Sequence, residues 1–261
     1  MQFNTEEKEA ITNSFSLASA TLIFVYSSTF FRHVASAFFL LLSIYLLFRE
    51  RIIYSALALG YGIITEYSLA FISPFFIFHP KCKEKLKFIL FLLIFPIIHL
   101  IYNKAVTGSF LKFPIFYSIN GLPYSIFPNL KMLLLNFAGI FLLNPILLAP
   151  KEKNEEMKFI YAMVLTYFII ISFRISFPLG FGGYEYSFGQ RNLIPIIPLL
   201  MLKTKINKIY YSLLGLSLVF SLYGVIFRWF TFELILPPWR IFIVLSLIHI
   251  SEPTRLRMIS Y

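Results

Sequence analysis

Residues 86–102 read LKFILFLLIFPIIHLIY. A run this apolar approaches the roughly 17–25 residues that carry an α-helix across the hydrocarbon core of a bilayer. It is not alone: apolar stretches also occupy 12–31, 34–48, 52–78, 132–149, 158–177, 192–202 and 209–227, with a shorter piece at 241–248. Of the 261 residues 59% are hydrophobic and 13% are charged, where soluble domains hold about 25% charged residues. A single water-soluble core cannot bury that much apolar surface. Barrel strands would alternate polar and apolar residues, and these runs do not. The sequence therefore implies an all-α, polytopic transmembrane helical bundle of about nine or ten short or full spans. It forms one domain over 1–245 and sits multi-pass in the cell membrane.

Stretch 52–78 is too long for one ordinary span and carries Thr65-Glu66-Tyr67 at its midpoint, which predicts two short helices meeting at that tripeptide. Orientation follows from lysine and arginine, which concentrate in cytoplasmic loops. Placing the connectors 49–51 (RER), 79–87 (HPKCKEKLK), 151–158 (KEKNEEMK) and 203–208 (KTKINK) on the cytoplasmic side puts twelve cations there against eight on the other. The cytoplasmic cations cluster, whereas most of the outer ones are solitary. Arg32-His33, Glu66-Tyr67, the loop 103–130, the loop 178–191 and the segment from Arg228 to Arg240 then share the outer face.

Other function classes find no support in the residues. The net charge of +11 lies in short connectors between spans, so topology rather than nucleic-acid binding explains it. The lone Cys82 excludes an intrachain disulfide framework, and its setting in KCKEK places it on the cytoplasmic surface. No Cys/His cluster has metal-ligand spacing, and no glycine loop is of the phosphate-cradling P-loop type. The tail SLIHISEPTRLRMISY (246–261) breaks the apolar pattern abruptly and resembles sequencing-adapter read-through. Set aside as artefactual, it implies that the span starting near Arg240 is cut short.

The chemistry-bearing residues lie on the expected outer face. In GGYEYSFGQRNLIPIIP (182–198) the glycines permit tight turns, and Tyr184, Tyr186 and Phe188 suit a lipid–water interface. Arg191 then stands at the first turn of a helix 192–202. There a guanidinium fork would join free backbone N–H groups and a positive helix end to bind phosphate oxygens bidentately. The alternative is that Arg191 snorkels to headgroups or pairs with Glu185.

Glu66 in mid-stretch is costly in a membrane, about 2.5–3.5 kcal/mol, and is by default a functional residue. Facing a polar cavity, it is either a general base for an acceptor hydroxyl or the partner of Arg191 or Arg32. Arg32 and His33, between two spans, can donate to phosphate or shuttle a proton, or serve as interfacial punctuation. His99 reads as a helix-packing histidine. Arg228, Trp229, Trp239 and Arg240 read as an interfacial belt. Asn103 opens an outer segment whose turn-forming residues and aromatics suggest an ordered loop on the membrane.

Four segments carry a family resemblance. GGYEYSFGQRNLIPIIPLL is similar to a "glycine-glycine, aromatic, Phe-Gly-Pro-Arg, apolar, Pro" signature, with Gln190 where that pattern has proline. FVYSSTFFRHVASAFFLLLSIYLL (24–47), ALALGYGIITEYSLAFISP (56–74) and YNKAVTGSFLKFP (102–114) resemble the same group's upstream segments, in the same order. The group resembles the GT-C type glycosyltransferases of prokaryotic membranes. The resemblance implies transfer of a sugar from a polyprenyl-phosphate donor outside the cytoplasmic membrane. Arg191, His33, Arg32, Tyr67, Glu185, Tyr186 and Asn103 would bind substrate, and Glu66, or else Glu185, would stand in as catalytic carboxylate if this chain carries one.

GT-C proteins carry their principal aspartate in the first outer loop, yet all twelve acidic residues here are glutamate. The expectation is a fragment cut at both ends and lacking that loop. A divalent metal enters only if the missing loop supplies acidic residues. The alternatives are a transporter or flippase of lipid-linked or anionic substrates, and a non-catalytic membrane scaffold.

Overall fold

The computed structural model describes residues 7–27, 32–110, 130–152, 154–173 and 191–227, without the side chains of 131, 132 and 227. Glu185 and Tyr186, most of the loop 103–130, the belt from Arg228 to Arg240 and the tail 246–261 lie outside the described residues.

The described chain is helical, and no β-strand occurs in it. Helix α1 spans Glu7–Ser19, with Glu7 and Glu9 in a first turn where negative charge is favoured. It is followed by α2, Leu22–Ser27. Helix α3, Arg32–Phe48, buries Ser36, Leu40, Ser43, Ile44 and Leu47, a stripe at helical spacing that faces the core.

Helix α4 covers Ile52–Thr65 and stops at the expected tripeptide. The Thr65 hydroxyl turns back onto the Gly62 carbonyl at 2.7 Å, and Glu66 is extended at φ −146°, ψ 100°. The chain resumes as a 3-10 turn, Tyr67–Ile72, and α5, Ser73–Phe78, with proline in its first turn. Stretch 52–78 is thus two short helical segments joined at Glu66.

Helix α6, Lys85–Thr107, ends at Gly108, whose φ of 75° is the left-handed cap that glycine supplies without strain. Helix α7, Leu130–Leu143, and a 3-10 turn Pro145–Leu148 lead to α8, Glu155–Ser172. Asn154 caps α8, its side chain accepting the Met157 N–H at 2.9 Å. A 3-10 turn Arg191–Ile196, α9 (Ile197–Met201) and α10 (Lys208–Phe227) complete the described chain.

The segment expected as one helix over 192–202 is corrected to a 3-10 turn of 6 residues followed by an α-helical piece of 5. Pro195 and Pro198 explain it, since each removes a backbone donor and obstructs the preceding turn. So short a stack of peptide dipoles leaves Arg191 to act through its guanidinium.

The four basic connectors meet at one end of the bundle. Lys83 Nζ donates to Glu50 Oε2 at 2.6 Å, and Lys203 Nζ to Glu156 Oε2 at 2.8 Å. The His79 and Phe159 rings pack at 4.5 Å. Lys151 and Thr204 form an isolated antiparallel bridge, flanked by Glu152 N–H to the Lys203 carbonyl at 3.0 Å and Lys205 N–H to the Pro150 carbonyl at 2.8 Å. Asn13 Nδ2 donates to the Thr204 carbonyl and ties α1 to the same end. Cys82, expected on the surface, is instead buried at 1% exposure. Its backbone N–H turns back to the His79 carbonyl, which tucks the thiol under the connector.

Polar pairs fasten the helices inside. Ser43 and Ser55 exchange hydrogen bonds with each other's carbonyls at 2.8 Å. Ser217 Oγ accepts the Ile146 N–H at 2.7 Å, and Asn144 Oδ1 accepts the Leu22 N–H at 2.7 Å. Gly60 lets α4 approach α6 so closely that a Cβ there would collide with the Phe95 ring. Such small-residue contacts and internal hydrogen bonds are what helices use where water offers no drive to associate.

Two helices among the described residues, α6 and α10, are long and apolar enough to cross a membrane. Only 17% of the most apolar window of α6 is buried, and Leu86, Leu90, Ile97, Ile101 and Val106 all point outward.

Candidate functional site

A buried ionic cluster occupies the other end of the bundle. It begins where α3 starts and α4 stops. Arg32 and His33 form the first turn of α3, and the extended residue Glu66 follows the last turn of α4, which packs alongside. Glu66 is 1% exposed, while the Arg32 side chain is 43% exposed. One carboxylate oxygen, Oε1, accepts a short hydrogen bond from Ser68 Oγ. The other, Oε2, lies 3.1 Å from His33 Nδ1 and 3.6 Å from Arg32 Nε. A carboxylate taken out of water requires this kind of compensation, because its desolvation otherwise costs several kcal/mol, on the order of the attraction gained.

The cluster extends across the bundle. Ser68 Oγ lies 3.5 Å from the Tyr167 hydroxyl on α8, and Tyr167 is fully buried. The Tyr167 hydroxyl donates to the Asn192 carbonyl at 3.1 Å. Asn192 follows Arg191 in the 3-10 turn, and α3 packs along that turn. Arg191 is half-buried with its Nε enclosed by protein.

On the opposite flank, the Tyr67 ring packs on His99 of α6 at 5.0 Å, and His99 stacks on Tyr102 at 6.3 Å. Arg32, Tyr102 and Glu66 lie within electrostatic range of the Tyr67 hydroxyl. Asn103 is fully buried, but its Nδ2 donates to the Phe110 carbonyl at 3.3 Å and its own carbonyl accepts the Thr107 hydroxyl at 2.8 Å. Those bonds close the end of α6.

Five of the residues expected from the sequence thus come together: Arg32, His33, Glu66, Tyr67 and Arg191. Asn103 is engaged in the turn after α6. Glu185 and Tyr186 lie outside the described residues. Glu66 pairs with Arg32, one of the partners expected for it, but at 1% exposure its carboxylate does not face an open cavity. Both its oxygens are engaged, an arrangement suited to holding Arg32 and His33 rather than to taking a proton from a ligand hydroxyl. Ser68, Tyr167 and Asn192 were not anticipated. Ser68 stands two residues from Glu66, a local signal, whereas nothing in the apolar run of α8 marks Tyr167 as a partner of either segment.

Among the described residues the cluster carries two guanidiniums against one carboxylate, so with neutral His33 it is a cationic patch. No group of three or more His, Cys, Asp or Glu side chains among the described residues is arranged to hold a metal ion. Comparison with family models, with curated proteins and with solved structures finds no match to this chain.

Proposed function

We propose that this chain is a polytopic membrane protein of the cell membrane that binds a polyprenyl-phosphate sugar at the Arg32–His33–Arg191 end. In this reading it belongs to a glycosyltransferase-like machinery of the GT-C type, working on the outer side. The observation that carries the reading is that α3, which begins with Arg32 and His33, packs against the turn that begins with Arg191, at the end away from the basic connectors. Those residues come from positions far apart in sequence, and their chemistry suits a phosphate monoester or diester. The outward apolar surface of α6 and α10 supports a lipid setting, since soluble monomers rarely expose contiguous apolar patches larger than a few hundred Å².

Binding tests the reading. With the protein in phosphatidylcholine nanodiscs, Arg191→Ala should weaken undecaprenyl phosphate at least about tenfold, the loss of one charge-assisted contact. A parallel titration with inorganic phosphate separates a lipid headgroup from a free anion as the ligand. Unchanged affinity for both would refute the reading.

A second reading, a transporter or flippase of lipid-linked or anionic substrates, draws on one observation. Glu66 sits at an extended break between two short helical segments, the arrangement transporters use near their substrate sites. Flux of a lipid-linked sugar in liposomes without any transfer of the sugar would favour it.

A further inference from the structure

The hydroxyls between Glu66 and the Arg191 turn have no place in the phosphate-binding reading as it stands. Ser68 is bonded to Glu66 Oε1 and lies 3.5 Å from the Tyr167 hydroxyl, which donates to the Asn192 carbonyl. Tyr167 is 0% exposed and Ser68 3%. A buried hydroxyl needs a partner, and the face that α8 buries is apolar apart from Tyr167 and Ser172. Here that requirement is met by the backbone carbonyl of the residue after Arg191.

The consequence is mechanical. Pro195 and Pro198 deprive the segment from Arg191 of a continuous α-helical ladder. A turn weakened in this way is oriented by contacts from outside itself. The Tyr167 hydroxyl supplies one such contact and α3 packing another. Through Ser68, the same hydroxyl adjoins the carboxylate that sets Arg32 and His33 in place. The two guanidiniums and the imidazole therefore share one internal scaffold, even though they come from two separate parts of the chain.

Resting on the phosphate-binding reading above, we propose that Tyr167 and Ser68 are positioning residues. They fix the Arg191 turn relative to Arg32 and His33, so that the cations meet one phosphate group together. Neither touches the ligand. The discrimination they control is between a phosphorylated lipid and its neutral alcohol, because only the phosphate requires the cations to converge.

The test compares undecaprenyl phosphate with undecaprenol, titrated into the protein in phosphatidylcholine nanodiscs. Wild type should prefer the phosphate, and Arg191→Ala should lose that preference. Tyr167→Phe, which keeps the ring and removes one hydroxyl, should lower the phosphate preference about three- to tenfold while leaving undecaprenol binding unchanged. Ser68→Ala should do the same, and it stands in for Tyr167→Phe should that variant fail to fold. Equal weakening of both lipids would mean lost packing and would overturn the positioning role. So would an unchanged preference in Tyr167→Phe and Ser68→Ala while Arg191→Ala loses it, and in that case phosphate binding itself survives. If wild type shows no preference for the phosphate, the binding reading and this inference fall together.

Discussion

Glu66 Oε2 stands 3.1 Å from His33 Nδ1, and the carboxylate that joins them is almost wholly enclosed. One buried acid therefore answers for an imidazole, a guanidinium and a hydroxyl at once. Removing it should uncover all three. Glu66→Ala is expected to destabilise the protein by about 1–3 kcal/mol, the cost of a buried group left without its charged partner, moderated because Arg32 keeps contact with solvent. Glu66→Gln, which still accepts from Ser68, should cost less. Reversible denaturation by SDS in mixed micelles would check the order, and equal stability of wild type and Glu66→Ala would contradict it.

Gly60 and Phe95 set the distance between α4 and α6. Gly60→Ala should destabilise by about 1–3 kcal/mol, because the added methyl meets an aromatic ring that is itself packed. Truncating the ring should relieve the clash, so Gly60→Ala should cost much less in a Phe95→Ala background. Additive effects in that cycle, measured by the same denaturation, would rule out a shared contact.

Lys151 should report on pH at the lysine-rich end. Its Nζ donates to the Leu147 and Ala149 carbonyls at 2.6 and 3.1 Å, but burial pushes its pKa down to about 8, below the ordinary lysine value of about 10.4. Between those values the unfolded chain holds a proton that the folded protein has released. Stability contributed by this group therefore rises as pH climbs from about 8 towards 10, and the charging penalty is present in full below that window. Lys151→Met should lack the rise. Denaturation curves of both proteins at about pH 7.5 and about pH 9.5, which bracket most of the window, give the comparison.

The proposed polytopic arrangement makes a labelling prediction. In a Cys82→Ser background, single cysteines at Glu50 and Lys205 should react with a membrane-impermeant maleimide from one side of a sealed vesicle. One at Arg32 should react from the other. Cys82 itself should react slowly in the native protein, since burial raises its thiol pKa and hides it. Labelling of all three engineered positions from the same side would refute the arrangement.

The parts of this molecule that the sequence made legible are those written in short-range pattern. Thr65-Glu66-Tyr67 interrupts an apolar run, and a helix cannot carry a carboxylate there without a local solution, so the break at Glu66 could be read directly. The four basic connectors could likewise be assigned to one end, because lysine and arginine concentrate in the loops on one side of a membrane. What could not be read is the traffic between elements. Tyr167 is one ring in an apolar helix, and its bond to the Asn192 carbonyl depends on how α8 leans against a turn that follows it in the chain. The burial of Cys82 depends on the fold of a connector whose composition alone says surface. Segment 192–202 differs for the opposite reason: Pro195 and Pro198 stand in plain view in the sequence, and together they break the apolar run into a 3-10 turn and a short α-helical piece.

Helix α4 has 14 residues, and at 1.5 Å per residue it rises only about 21 Å. A hydrocarbon layer is about 30 Å thick, so an upright α4 that starts at one face stops about 9 Å short of the other. Glu66, hung on that end, would then lie below the plane where headgroups normally float. If α4 spans the membrane as proposed, an anionic lipid reaching the arginines would descend into a dimple in the leaflet, its depth set by the shortness of a single helix.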